Sequence, residues 1–561
     1  MESLHLAYLE EDRDAAGRII DFRLRLPERF NFATDCVDRI AAAEPDRRAM
    51  LWCGLDETRR SFSFGEMSRL GRQAASFFRS IGIRHGDRVL LILKRHHQFW
   101  SAMLGLAHIG AVAVPATSQL KAMDLAYRIE RADIHAVIAT MEGDTADEIE
   151  QAEHDLGYSI PIRLAVHGGR PGWSDYDQGL ATAPPWTTPP PAERPVLHDE
   201  MVIYFTSGTT GLAKMVSLDY AYPLAHIVTA KYWQNVNPKG LHLTVSESGW
   251  AKTLWGKLYG QWLLGAGIYV YDFDRFDPAA LLEHIATDGV TTFCAAPTIY
   301  RFLIHEDLTK YDLSALEHCT VAGEAVNPQV FSAWKRATGL EMREGFGQTE
   351  TTPTVATFYW MKAKAGSMGR PNPIYDVVLL DEDGVEQGPG GSGEICLRPP
   401  GPPGDPANIG MFSGYAEDPD LTEAYWYDGY YHTNDLASMD EDGYLWYEGR
   451  SDDMIKSSGY KISPFEVENV VMTHPAVLEC AVTGVPDKIR GQVVRASIRL
   501  APGYSPGEAL AREIQNHVKT VSAPYKYPRV VDFVDELPKT VSGKIRRVVL
   551  RQQLQQAAVR A

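Results

Sequence analysis

The chain predicts an α/β architecture: a large N-terminal domain of layered α/β subdomains, followed by a small mobile C-terminal α+β lid domain. Three observations carry that expectation: the length, a repeated strand–helix–strand alternation, and a reversal of charge near residue 452. At 561 residues the chain is too long for one hydrophobic core. Its 45% hydrophobic and 23% charged residues match an ordinary globular composition.

From Asp87 to Pro115 an apolar run (Val89 to Leu93) leads to a stretch in which Phe99, Met103, Leu104 and Ala107 share a helical face. A second apolar run, Ala111 to Val114, follows. The alternation recurs over Gly265 to Tyr271, Leu281 to Ile285 and Thr291 to Ala295, the pattern of a parallel sheet with crossover helices. Proline-rich stretches beginning at Pro184 and Pro399 are expected as surface connections, because proline lacks the N–H that sheets and helices need. Turn-formers from Gly449 to Asp453 follow the apolar run Tyr444 to Tyr447, which sets the expected domains at 1–451 and 452–561.

The net charge of −18 excludes a nonspecific grip on nucleic acid. From Asp452 onward, however, 16 basic residues meet 11 acidic ones, a net of +5, whereas the preceding part carries −23. A basic terminal unit fits a lid that approaches a polyanion. The six cysteines lack CxxC spacing or Cys/His pairing in sequence, which argues against zinc and against a disulfide framework. The opening residues mix acidic groups into short apolar runs, unlike a secretory signal. The apolar run from Gln98 to Val114 is broken by histidines, Ser101 and glycines, so no membrane insertion is expected and the cytoplasm is the expected compartment.

The strongest local feature is a buried-type strand from Val202 running into Thr206, Ser207, Gly208, Thr209, Thr210 and Gly211 and ending at Lys214. Glycines let backbone amides face inward, the hydroxyls donate, and the lysine adds charge: the loop reads as a phosphate cradle. It is not a Walker loop, because Ala213 and Met215 flank the lysine. It resembles the phosphate-binding loop of the adenylate-forming superfamily. Four more segments match that superfamily in order: Gly323-Glu324-Ala325; Glu344-Gly345-Phe346-Gly347-Gln348-Thr349-Glu350; Tyr431 to Asp435 with Glu448 to Asp453; and Pro538 to Arg546. Ser457 to Tyr460 and Ala523 to Arg529 resemble the medium-chain acyl-CoA synthetase branch.

The resemblance implies a two-step reaction: a carboxylic acid and ATP give acyl-AMP and pyrophosphate, and coenzyme A then takes the acyl group. ATP, Mg2+ and coenzyme A are the implied cofactors and co-substrates. It places Thr349 on the α-phosphate, Glu350 on magnesium and Asp435 on the ribose hydroxyls with Arg450 nearby. Residues 323–325 and 344–347 are implied to line the adenine slot. Lys544 is implied as the catalytic lysine, bridging the carboxylate and the α-phosphate, with Asp452 as the hinge that brings it in. Gln119, Ser458, Gly459, Tyr460, Arg490 and Lys519 are implied for coenzyme A. Lys461 stands where many relatives have arginine, so a bidentate fork is replaced by a compact charge.

The acyl side is expected from Trp250, Lys252, Thr253, Gly323 and Lys461, with Lys252 either turned to solvent or holding the carboxylate. The acid is expected to be medium-chain, short branched or aromatic. Two alternatives stand: an adenylation-only enzyme that serves a carrier-protein thiol, and an inactive nucleotide-binding regulator. A protein acetyltransferase acting on Lys544 and a homo-oligomer are further expected partners.

Overall fold

The structure, a computed structural model, describes residues 4–15, 17, 19–190, 193–206, 213–458, 460–487, 489–539, 545–547 and 549–551, without the Lys461 side chain. Two large mixed sheets form the centre of the N-terminal domain. In the first, Ile162–Val166, Ile134–Thr140, Arg88–Ile92, Val112–Pro115 and Glu200–Thr206 run parallel, and Lys214–Asp219 pairs antiparallel with the last of them. In the second, Arg48–Cys53, Gly267–Tyr271, Leu241–Thr244, Thr292–Ala295, His318–Ala322 and Met342–Phe346 form a continuous parallel array.

The helix predicted after the first apolar run spans Gln98–Ile109, and all its residues are buried. Its apolar side chains are matched by close contact with the helix Phe64–Ser80, which starts at a Ser63/Glu66 capping box. Glycine makes that contact possible: a Cβ on Gly105 would sit 2.6 Å from Ala74 Cβ, and one on Gly71 would sit 2.7 Å from Leu104 Cβ. Both proline-rich stretches run as irregular connections.

A third, antiparallel sheet includes Val377–Leu380, Ser392–Leu397, Tyr430–Met439 and Leu445–Arg450. The small C-terminal domain has its own sheet, formed by Ile455–Ser457, Tyr460–Ile462, Val477–Asp487, Gly491–Leu500 and Val530–Phe533. Helices Pro464–Val471 and Glu508–Val521 pack on it over a separate core that includes Val467, Val482, Ile498, Ile514 and Val518. No helix among the described residues is long and apolar enough to cross a membrane.

Candidate active site

Parallel α/β sheets bind ligands at the carboxyl ends of their strands. The motif segments follow that rule: strands end at Thr206, Thr244, Ala322 and Phe346, each just before a segment that carries candidate residues. Thr206 pairs with Lys214 across an antiparallel hairpin, so the phosphate-cradle sequence forms its connection. Ser207, Gly208, Thr209, Thr210 and Gly211 themselves lie outside the described residues, as do Gly459 and Lys544.

Gln348 ties two distant motifs together. Its Nε2 donates to Asp435 Oδ2 at 2.6 Å and to Thr433 O at 2.8 Å, while its Oε1 accepts from the Tyr431 hydroxyl at 2.9 Å. Asp435 is buried, accepts from the Tyr447 hydroxyl at 3.0 Å, and lies 3.5 Å from the Arg450 guanidinium. Burial alone would depress Arg450; the Asp435 and Asp452 carboxylates more than offset it and push it up. The Asp435 carboxylate is therefore held in place by Gln348, Tyr447 and Arg450.

Glu350 is buried, and its Oε1 accepts from the Tyr415 hydroxyl at 2.8 Å. Burial, then the Glu350 charge, pushes that hydroxyl up, so Tyr415 remains a donor. With one oxygen held, a hard carboxylate oxygen is oriented for a cation such as magnesium, and the donor type fits. Thr349 beside it is half-buried. Lys214 is hydrogen-bonded to the Tyr425 hydroxyl and lies 3.9 Å from that ring's centroid and 5.1 Å from the Tyr415 ring. This tyrosine frame of Tyr415, Tyr425, Tyr431 and Tyr447 was not foreseen, because only Tyr431 lies in a motif segment and the others come from separate elements.

Glu344 departs from the expected adenine-slot role. It is fully buried, receives a hydrogen bond from the Val326 backbone, and desolvation raises its pKa to about 8. It braces the 323–326 turn from behind as a neutral acid. Glu324 instead accepts from the Thr298 hydroxyl at 3.3 Å and lies 3.8 Å from Arg301. Ala325 and Phe346 are half-buried, the latter with its ring 6.1 Å from Tyr447, and Gly347 is exposed.

In the acyl region Lys252 turns inward, not to solvent. Its Nζ donates to Ala322 O at 2.7 Å and lies 3.2 Å from where a Cβ on Gly323 would be. Trp255 sits 5.8 Å below the ammonium and packs 5.6 Å from Trp233; a Cβ on Gly345 would meet that second ring at 2.5 Å. Trp233 was missed: nothing in the spacing joins residue 233 to a pocket after residue 247. Trp250 is half-buried and starts the short helix Ala251–Lys257. Thr253 is fully buried with its hydroxyl on Glu247 O at 2.6 Å, so it holds the turn and does not line the pocket.

On the small domain, Ser458 N donates to Arg490 O at 2.9 Å and the half-exposed Tyr460 stacks on Tyr525 at 4.3 Å. Lys519 stands 4.2 Å over the Tyr527 ring, and Gln119 is exposed on the large domain. Lys461 occupies the strand beside Tyr460; its side chain is outside the described residues. Asp452 is exposed and pairs with Arg450 at 3.3 Å. Arg301 of the large domain reaches Met472 Sδ at 3.6 Å and acts on Glu479, which is paired with Lys539. Lys539 bridges Ile545 antiparallel, so the stem flanking residues 540–544 is tied to Glu479, which feels the Arg301 charge.

Comparison with known proteins agrees with this geometry. Residues 37–416 match the AMP-binding enzyme family, and residues 466–544 match the AMP-binding enzyme C-terminal domain. The mitochondrial acyl-coenzyme A synthetase ACSM3 of Mus musculus is 38% identical over 95% of this chain and 92% of its own length. ACSM5 of the same species is 40% identical with the same coverage. An anthranilate CoA ligase, AuaEII, solved with anthranoyl-AMP, superposes with a TM-score of 0.86 at 28% identity, covering 95% of this chain and 99% of that one. A benzoate CoA ligase from Burkholderia xenovorans gives 0.80 at 26%, covering 93% and 100%. The chain belongs to the AMP-binding enzyme family of the adenylate-forming superfamily, as an AMP-forming acid–thiol ligase that uses ATP, magnesium and coenzyme A.

Proposed function

We propose that the protein converts a short branched or aromatic carboxylic acid to its coenzyme A thioester, through an acyl adenylate made and consumed at the site above. The observation that carries the choice of acid is the half-buried Trp255 ring lying under the Lys252 ammonium beside the exposed Gly323, backed by the buried Trp233 that packs on Gly345. Flat indole walls favour a ring or a branched stub over a long flexible chain. The structural relatives whose names specify anthranilate and benzoate support the aromatic reading.

In this reading Asp435 takes the ribose hydroxyls, Thr349 the α-phosphate, and residues 323–325 with 345–347 the purine. Glu350 would hold magnesium, which supplies neutralisation of the phosphate charge when bound. Lys544 delivers its ammonium to the carboxylate and the α-phosphate as they join. The Lys539–Ile545 stem, tied to Glu479 within the field of the large domain's Arg301, supports that delivery. The domain boundary is proposed at 451/452, with Asp452 as the pivot that later presents Ser458, Gly459, Tyr460, Arg490 and Lys519 to coenzyme A.

Acetylation of Lys544 by a protein acetyltransferase would remove that charge and switch the enzyme off. The cytoplasm is the proposed compartment. All six cysteines are buried and unbridged, in keeping with a reducing location, and cell fractionation tests the assignment against the mitochondrial site named for the mammalian relatives. A homo-oligomer is proposed, to be tested by sedimentation.

A carboxylic-acid panel scored by ATP–pyrophosphate exchange and by coenzyme-A-dependent release of AMP tests the function. Benzoate-like and short branched acids should lead it. Exchange without coenzyme-A-dependent AMP release would favour the carrier-protein alternative, and no exchange with any acid would favour a regulator.

A further inference from the structure

Three clusters of histidine, cysteine and carboxylate side chains among the described residues bring donor atoms within 4.8 Å of one another. Two of them already hold a cation. At His96, Glu142 and His167, the Lys94 ammonium lies 2.7 Å from Glu142. At Cys53, Glu57 and His284, Arg59 lies 3.2 Å from His284 Nδ1 and 3.8 Å from Glu57. A metal ion there would meet a resident positive charge at contact distance.

The third cluster, Glu394, Cys396 and His432, differs. Glu394 and Cys396 alternate on the strand Ser392–Leu397, and His432 sits directly across from Cys396 on the strand Tyr430–Met439. Cys396 Sγ is 3.4 Å from His432 Nδ1, which is 3.1 Å from Glu394 Oε2. The other carboxylate oxygen is already committed, accepting the Asn434 amide at 2.6 Å. Tyr427 stacks flat on the imidazole, with ring centroids 3.7 Å apart and planes 2° from parallel, which fixes the ring's orientation. Among the described residues Glu394 and His432 form an ion pair with each other and with no lysine or arginine.

We propose that Glu394, Cys396 and His432 bind a zinc ion, outside the nucleotide site. One thiolate, one imidazole and one carboxylate are a donor set that zinc accepts, leaving a fourth position for water. With bonds of about 2.3 Å to sulfur and about 2.0 Å to nitrogen and oxygen, a tetrahedral centre has donor–donor edges of about 3.3 to 3.6 Å. The two observed edges are therefore within a few tenths of an ångström of that shape. Binding breaks the thiol S–H bond, forms the metal–sulfur bond and releases the proton to solvent. The ion would also brace Glu394, whose other oxygen holds the residue before Asp435. Sequence spacing gives no hint of this site because the donors meet across two strands separated by more than thirty residues.

The test uses the untagged, full-length protein, stripped with a chelator and then titrated with Zn2+ or Co2+. About one equivalent of zinc should bind. The cobalt form should show a thiolate-to-metal charge-transfer band in the near ultraviolet, and zinc should raise Tm. C396S should retain thioester formation, which verifies its fold, and should lose the band, the Tm rise and at least 10-fold in zinc affinity. H432Q, with folding checked by circular dichroism, should lose affinity similarly. A wild-type protein that binds no zinc, or a C396S variant that binds it as well as wild type, overturns the proposal.

Discussion

Three hydrogen bonds converge on Gln348, joining residues 83 to 87 positions away in the chain. Gln348→Ala leaves the Tyr431 hydroxyl, Thr433 carbonyl and Asp435 carboxylate short of a partner at a largely buried site, at a cost of about 1–3 kcal/mol. The expected outcome is a raised KM for ATP with little change in the KM for the acid, read from initial rates. Lys544→Ala should slow acyl-AMP formation by about 10²- to 10³-fold, the usual worth of one preorganised donor at a developing charge. Pyrophosphate exchange at the wild-type rate would remove Lys544 from the proposed chemistry. Glu344 makes a pH prediction. Its folded pKa of about 8 lies above the unfolded carboxylate value, so the folded state holds the proton more tightly. Its contribution is fully present below the unfolded pKa and is lost as pH rises through about 8. Glu344→Gln should therefore flatten the fall in Tm between roughly pH 5 and 8, and an unchanged slope would show that Glu344 is already ionised.

Among the elements, the strand Tyr430–Met439 carries the most. It sets Asp435 against Gln348 and Tyr447, aligns His432 against Cys396, and passes through Asn434 in a left-handed conformation at φ 59°. Asparagine tolerates that region, whereas a β-branched residue does not. Asn434→Val should cost about 1–2 kcal/mol in chemical denaturation, and Asn434→Gly should be nearly neutral. The strand Met342–Phe346 poses the opposite problem, since Gly345 lies against the Trp233 ring. Gly345→Ala should displace that ring and lower kcat/KM for the preferred acid more than for a smaller one, in a comparison of the two substrates.

On the scale of the whole molecule, one site must serve two reactions that need different partners. The small domain has its own sheet and core, and the proposed pivot, Asp452, is exposed just before its first strand. Proline there removes φ freedom without removing a hydrogen bond recorded for that amide. Asp452→Pro should leave adenylation within a few-fold of wild type and impair transfer to coenzyme A, when the two half-reactions are measured separately. Equal loss of both would argue against a pivot at this residue.

The sequence by itself determined the α/β class, the succession of motif segments and the chemistry they imply. Those features are local: a periodic apolar strand, a glycine-rich turn and a Gln-Thr-Glu run each declare themselves within a dozen residues. Only the tertiary structure decided which side chains share a surface. It turned Lys252 inward onto Ala322, buried Glu344 and Thr253, and brought Trp233, Tyr415, Tyr425, Tyr431 and Tyr447 in from remote elements. The physical reason is that burial and pairing depend on what the sheet register places across from each residue, and register is a property of two strands at once.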